Sequence, residues 1–88
     1  MQITYRKKFL RELVDIPLKQ QRKIERFAFE QFPKSKTIFS LRKIERLKGY
    51  PGYYKIRFGD YRVGLKIVAD KVVFERVLHR KDIYRHYP

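Results

Sequence analysis

A β-hairpin is the feature that most restricts how this chain can fold. Residues 53–63 alternate apolar and polar side chains on both sides of a Gly-Asp pair at 59–60. Because successive side chains of a strand point to opposite faces, the alternation predicts a strand with Tyr54, Ile56 and Phe58 on one face. Glycine at the first central position of a two-residue loop favours a type II′ turn, so a tight hairpin is predicted.

This hairpin sets like charges opposite each other. Closing the turn pairs Arg57 with Arg62 and Lys55 with Gly64. Like charges directly opposite on one sheet face are destabilising. A chain that keeps them is expected to hold an anion there, with Gly64 leaving room for its approach. The alternative is that the two arginines splay apart into water, and the hairpin alone does not decide between these interpretations.

The net charge indicates the kind of partner. Twenty-three Lys and Arg oppose nine Asp and Glu, which gives a formal charge of +14 at pH 7. A domain this basic repels itself, and a polyanion relieves the repulsion. Nucleic acid is the first candidate, through phosphate contacts and counterion release, and an acidic partner protein is the second. A membrane partner is disfavoured because no basic helix with a clean apolar face is found.

Length and composition predict one small domain over residues 1–88. The chain has no cysteine, so neither a disulfide nor a thiolate metal site is available. The first residues carry charges with no apolar run behind them, which predicts neither a signal peptide nor a membrane span. A cytoplasmic protein is therefore expected.

The pattern changes from helical to extended along the chain. Apolar side chains recur at helical spacing in residues 7–13 and again up to Phe32, where Pro33 ends the second helix. Residues 34–46 fit either a short helix or an irregular loop. Strands are predicted at residues 2–5, 53–58, 61–68 and 71–78. These elements predict an α+β domain with two N-terminal helices packed on one face of a curled antiparallel β-sheet.

The opposite face of the sheet is predicted to collect the basic side chains. A second tight turn at residues 69–70 continues the register and sets Val77 opposite Arg62. His79 then falls on the same face just beyond the strand end, whereas a slip of one residue would exchange the faces. The predicted surface consists of Lys55, Arg57, Arg62, His79 and Arg80, with Tyr84 near its edge.

Four segments resemble a known family. They are Leu47-Lys48-Gly49, Tyr54-Lys55-Ile56-Arg57, Gly59-Asp60-Tyr61-Arg62-Val63 and His79-Arg80-Lys81-Asp82-Ile83-Tyr84. With the order of the predicted elements, they resemble the RelE/ParE superfamily of bacterial and archaeal toxins over essentially the whole chain. The resemblance implies the RelE-like fold.

Similarity to the RelE branch implies an endoribonuclease that cleaves messenger RNA in the ribosomal A site and is held inactive by a cognate antitoxin. In that family the ribose 2′-hydroxyl attacks the adjacent phosphate without a metal, so no cofactor is expected. By position, Lys55 and Arg57 match the basic pair of the family. Arg62 matches the arginine after its Gly-x-Tyr turn pattern. Arg80 matches the arginine after the last strand, and Tyr84 the tyrosine that stacks on or orients a base.

Such a cleavage needs a base for the 2′-hydroxyl, positive charge for the phosphate and an acid for the leaving 5′-oxygen. Arg57 and Arg62 suit the phosphate because a guanidinium can contact two oxygens at once. Three side chains remain alternatives for the proton transfers: Lys55, His79 and Arg80. Histidine suits the task because it ordinarily titrates near neutral pH.

Further RNA contacts are predicted at Lys48, Tyr53, Lys66 and Lys81. Tyrosines on a basic surface can stack on bases, although Tyr53 and Tyr84 are equally compatible with ordinary half-buried tyrosines. Two rival functions stay open. One is a ParE-like toxin that inhibits DNA gyrase by binding, and the other is a non-catalytic basic protein that binds RNA or the ribosome. The combination of the basic set with Tyr84 argues against the ParE branch.

Overall fold

The computed structural model describes residues 2–35 and 44–88, and it confirms the α+β class. The elements in chain order are β1 (Gln2–Tyr5), α1 (Lys7–Leu13), α2 (Leu18–Glu25), a π-helical turn (Arg26–Gln31), a 3-10 turn (Phe32–Lys34), β2 (Ile44–Arg46), β3 (Tyr53–Phe58), β4 (Tyr61–Val68), β5 (Lys71–His79) and α3 (Ile83–His86). The predicted helix or loop at 34–46 falls largely outside the described residues, but its last three residues form a strand. Within the described ranges, no helix is long and apolar enough to cross a bilayer.

The sheet is five-stranded, in the order β1-β5-β4-β3-β2. Strands β3 to β5 pair antiparallel, as predicted, and β2, which was not predicted, pairs antiparallel with β3. Strand β1 pairs parallel with β5, so the sheet is mixed. No hairpin turn joins these two strands, because the helices and the rest of the sheet lie between them in the chain. The direction of β1 is therefore not imposed by a turn.

Both helices cover one face of the sheet. Five phenylalanines are buried between the helices and the sheet, and Tyr54 packs against them. These core phenylalanines are Phe9, Phe27, Phe32, Phe58 and Phe74. Their rings meet mostly edge to face, as favourable aromatic packing requires; Phe32 and Phe74, for example, lie 5.2 Å apart at 89°. This apolar layer fixes which side of the sheet remains available to a partner, here called the open face.

The β3–β4 hairpin has the predicted register. Arg57 pairs with Arg62, and Lys55 pairs with Gly64. Gly59 adopts a φ of 60°, as the first central position of a type II′ turn requires. The side chains of Lys55, Arg57 and Arg62 therefore share the open face.

A β-bulge interrupts the ladder between β4 and β5. Leu65 pairs with Phe74, whereas Gly64 pairs with Arg76. Strand β5 thus carries one extra residue, Glu75, and every pairing beyond it is displaced by one position. Such a displacement moves side chains to the other face of the sheet.

The bulge corrects the predicted position of His79. Leu78, not Val77, lies opposite Arg62. His79 pairs with Tyr61, and the two rings meet edge to face with centroids 5.3 Å apart. Because Tyr61 packs against the helix-side core, the prediction that His79 shares the open face with Arg62 is wrong.

Beyond the end of β1, the side chain of Glu12 bonds to the edge of β5 that β1 leaves unpaired. Its carboxylate accepts a hydrogen bond from the backbone N–H of Val77 (3.0 Å) and contacts the Arg76 guanidinium at 2.7 to 3.1 Å. Arg76 also donates to the carbonyl oxygen of His86 at 3.2 Å. One carboxylate therefore links α1 to β5 and, through Arg76, to the last residue of α3.

The predicted turn at residues 69–70 is present, and Ala69 adopts a φ of 54° there. A β-carbon disfavours this left-handed conformation, so glycine fits it better. We expect Ala69→Gly to raise the free energy of unfolding by about 0.5–1 kcal/mol in urea denaturation. Ala28→Gly, in the π-helical turn, is the matched control and should lower it; equal losses from both substitutions would contradict the strain at Ala69.

Candidate functional site

The segment around α3 folds back onto the open face and builds a second small core there. Its buried members are Leu47, Ile83 and Tyr87, and Tyr53 and Leu78 pack against them. The Tyr87 hydroxyl donates to the carbonyl oxygen of Leu65 at 2.7 Å. Burial raises the pKa of Tyr87 well above its ordinary value, so this hydroxyl stays a donor. The segment is thereby fixed over the middle of the sheet.

Gly64 makes room for this segment and not for an anion. A β-carbon at Gly64 would lie 2.7 to 2.9 Å from three ring atoms of Tyr87. The expectation that an anion approaches the sheet at Gly64 is therefore wrong, because the phenol ring occupies that space. The available part of the open face begins two residue pairs closer to the turn, at Arg57 and Arg62.

Lys55 and Tyr84 are brought together, as the predicted surface requires. The Lys55 ammonium donates a hydrogen bond to the Tyr84 hydroxyl and lies 4.2 Å from the centroid of its ring. The Lys55 side chain is only 13% exposed, whereas Tyr84 is 75% exposed. The lysine is thus enclosed at the edge of the second core, and the tyrosine ring is presented to solvent beside it.

The two opposed arginines take different partners. Arg62 turns back over the hairpin turn and donates to the carbonyl oxygens of Gly59 (2.7 Å) and Tyr61 (3.0 Å) through one nitrogen, Nη1. Arg57 leans toward Glu45, with 4.0 Å between Nη2 and Oε1. The side chains therefore diverge, as the splayed alternative describes, and each stays next to the same stretch of open face.

Arg80 lies at the hairpin turn that leads into Arg62. Its backbone N–H donates to the carbonyl oxygen of Asp60 at 2.7 Å. Its guanidinium Nε lies 3.6 Å from the Asp60 carboxylate. Asp60 thus holds Arg80 against the β3–β4 turn. The cations Lys55, Arg57, Arg62 and Arg80, together with Tyr84, are called the basic surface below.

The predicted RNA contacts are distributed around this surface. Lys48 is exposed in the β2–β3 loop, and Lys81 is exposed in the turn after β5. Lys66 extends over the Tyr53 ring, with 5.3 Å from its ammonium to the centroid. Tyr53 also meets Tyr87 edge to face at 5.8 Å, which makes it a packing residue of the second core as well.

Sequence reasoning missed Glu45. Its strand, β2, lies in the ambiguous stretch, so its pairing with Lys55 was not anticipated. The Glu45 carboxylate oxygens lie 4.0 Å from Lys55 Nζ and 4.0 Å from Arg57 Nη2. The alternating triplet Ile44-Glu45-Arg46 was the available signal, and three residues are too few to establish a strand.

The basic surface can bind a phosphate and stabilise negative charge that develops on it. The side chains of Arg57 and Arg80 are 65% and 59% exposed, and a guanidinium has five N–H donors with which it can contact an anion. The exposed ring of Tyr84 lies beside them, at a position where a nucleobase can stack. Among the described residues, no cluster of three or more His, Asp or Glu side chains forms a metal site.

Known proteins resemble this chain along nearly its whole length. Residues 3–84 match the family model of the ParE toxin of the type II toxin–antitoxin system parDE. The chain is 36% identical to Toxin RelE3 of Methanocaldococcus jannaschii over 89 residues, covering 100% of both proteins.

Solved toxin–antitoxin complexes have the same fold. The RelB–RelE antitoxin–toxin complex from Methanococcus jannaschii superposes with a TM-score of 0.78 at 35% identity, covering 97% of this chain and 99% of that one. The toxin–antitoxin complex RelBE2 from Mycobacterium tuberculosis gives a TM-score of 0.67 at 25% identity, covering 90% and 96%. The predicted resemblance is therefore confirmed: the chain belongs to the RelE/ParE superfamily and is a toxin of a type II toxin–antitoxin system.

Proposed function

We propose that this toxin is a ribosome-dependent endoribonuclease that cleaves messenger RNA in the A site and so inhibits translation. The observation that carries the proposal is the basic surface, where Lys55 and Tyr84 are in contact beside Arg57 and Arg62. Cations gathered around one exposed aromatic ring suit a single-stranded RNA that binds through a phosphate and a stacked base.

In the proposed reaction the ribose 2′-oxygen attacks the adjacent phosphorus and the bond to the 5′-oxygen breaks. The products are a 2′,3′-cyclic phosphate and a free 5′-hydroxyl, and no metal takes part. Arg57 and Arg62 bind the non-bridging oxygens and stabilise the charge of the pentacoordinate transition state. Arg80 neutralises the leaving oxygen, and Tyr84 stacks on a base of the codon.

We assign the proton transfers to Lys55 and Arg80 and not to His79. Lys55 lies among the phosphate-binding cations on the open face, whereas His79 pairs with Tyr61 on the helix side. The Nδ1 atom of His79 also accepts a hydrogen bond from the Lys81 backbone N–H at 3.1 Å, which occupies one of its two nitrogens. We therefore assign no catalytic role to His79.

We also propose a cognate antitoxin as the partner, and the cytoplasm as the compartment where toxin, antitoxin and ribosome meet. The related toxins from Methanococcus jannaschii and Mycobacterium tuberculosis were solved in complexes with antitoxins. A net charge of +14 favours an acidic chain that associates rapidly and in a salt-sensitive way. Co-expression with the product of the adjacent gene should yield a complex and relieve growth arrest.

Primer extension tests the nuclease directly. Purified toxin is incubated in parallel with free messenger RNA in EDTA and with programmed ribosomes. We expect cuts only with ribosomes and only within the A-site codon. Absence of cuts in both arms would overturn the proposal.

Inhibition of DNA gyrase is the second candidate, because the matching family model is that of the ParE toxin. A supercoiling assay distinguishes the two functions. Loss of supercoiling with no RNA cleavage would establish the gyrase reading.

A further inference from the structure

We propose that Glu45 occupies the phosphate position of the basic surface in the free toxin and is displaced when RNA binds. The inference rests on the proposed function, since it concerns the same surface and names the group that competes with substrate. Glu45 is then an intramolecular competitor of the substrate. It weakens the binding of any phosphodiester that makes no other contacts with the toxin.

The two carboxylate oxygens of Glu45 lie beside the same cations that two oxygens of a bound phosphate would contact. Its strand pairs it directly with Lys55 on the open face. One carboxylate oxygen, Oε2, faces Lys55 Nζ, and the other, Oε1, faces Arg57 Nη2, each at 4.0 Å. A phosphodiester presents two non-bridging oxygens in a comparable fork. Lys55 and Arg57 would therefore contact either the carboxylate or the phosphodiester.

These contacts are loose enough to be exchanged. A distance of 4.0 Å is an ion pair but exceeds the length of a charge-assisted hydrogen bond, so both cations keep their donors for a closer anion. The Glu45 side chain is 51% exposed and the Arg57 side chain 65% exposed. Exposed ion pairs contribute little to stability, so the carboxylate can swing into water when RNA arrives.

The carboxylate also relieves the repulsion that the hairpin register creates. Lys55 and Arg57 lie two residues apart on one face of β3, and Arg62 lies opposite Arg57. A negative charge between the first two reduces their mutual repulsion in the free toxin. RNA then binds to cations that are already in position.

The test is a site-specific titration of ¹⁵N-labelled toxin with a 2′-deoxy dinucleotide, followed at the Arg57 Nε–Hε resonance by NMR. The dinucleotide contains one phosphodiester and cannot be cleaved. Glu45→Gln keeps the size of the side chain and removes its charge. We expect it to lower the Kd at this resonance about three- to tenfold.

Glu30→Gln is the matched control, because it makes the same change in net charge at an exposed position of the π-helical turn, in the layer that covers the opposite face of the sheet. It should change the Kd by less than about twofold. Equal effects of the two substitutions, no gain in binding, or weaker binding by Glu45→Gln would each overturn the inference.

The titration tests the role of Glu45 and the cleavage assay tests the nuclease, so either proposal can be overturned without the other. Tighter binding by Glu45→Gln with no cut on programmed ribosomes would support the competitor role and overturn the nuclease. Cleavage by the wild-type toxin with no gain in binding would leave the nuclease intact and overturn the role of Glu45.

Discussion

Replacement of Arg62 by alanine is expected to lower the rate of A-site cleavage by about 10²- to 10³-fold, the usual effect of removing one group that stabilises developing charge. Growth arrest on expression should disappear with it. Among the described residues, Arg62 contacts only the turn carbonyls, and it does so through Nη1, which leaves Nη2 and Nε to bind phosphate oxygens. The β3–β4 turn fixes the guanidinium before substrate arrives, so little ordering is needed on binding.

Arg62→Lys is the informative comparison for this experiment. It keeps the positive charge and loses the planar fork, so we expect a rate between those of the alanine variant and the wild type. Thermal unfolding of both variants should stay close to that of wild type, because Arg62 belongs to neither hydrophobic core. Full toxicity of a folded Arg62→Ala variant would contradict the nuclease mechanism.

Gly64→Ala is expected to lower the free energy of unfolding by about 2–3 kcal/mol, measured by urea denaturation. The added β-carbon would lie 2.7 Å from the Tyr87 ring, well inside contact distance. The ring cannot retreat easily, because it is 5% exposed and its hydroxyl is bonded to the Leu65 carbonyl. Displacement of the segment would also separate Tyr84 from Lys55, so we expect cleavage to fall as well.

A double-mutant cycle shows whether the clash is the cause. In a Tyr87→Leu background the ring is gone, and Gly64→Ala should cost less than about 1 kcal/mol. The same cost in both backgrounds would mean that Gly64 is required for some reason other than space for Tyr87. Binding of the 2′-deoxy dinucleotide at Arg57 adds a second readout on the same variants.

The sequence was sufficient for the features that local rules determine. The Gly-Asp pair at 59–60 fixed the hairpin, and alternation then assigned the faces of Lys55, Arg57 and Arg62 correctly. Helical spacing identified α1 with its observed bounds, Lys7–Leu13. Each of these inferences depends on residues that are neighbours in the chain, and the family resemblance agreed with all of them.

Three features of the site depend on contacts between distant residues and were missed or misplaced. The partner of Gly64 is Tyr87, which reaches it only because the segment around α3 folds back over the sheet. Glu45 lies on a strand of three residues whose pairing with β3 gives it its place. In the sequence, only the spacing of Phe74 and Val77 indicates the bulge. These two buried side chains are three residues apart, whereas successive side chains on one face of a regular strand are two residues apart.

That bulge also bears on how a surface of this kind can evolve. An extra residue within β5 would reverse the faces of all positions that follow it if the strand stayed regular, but the bulge absorbs that residue. Removal of Glu75 would leave Phe74 opposite Leu65 and Arg76 opposite Gly64 in a regular ladder, so Leu78 would remain opposite Arg62 and His79 opposite Tyr61. A bulge can thus accommodate a codon gained or lost within a strand while the same side chains of β5 stay on the face of Arg62.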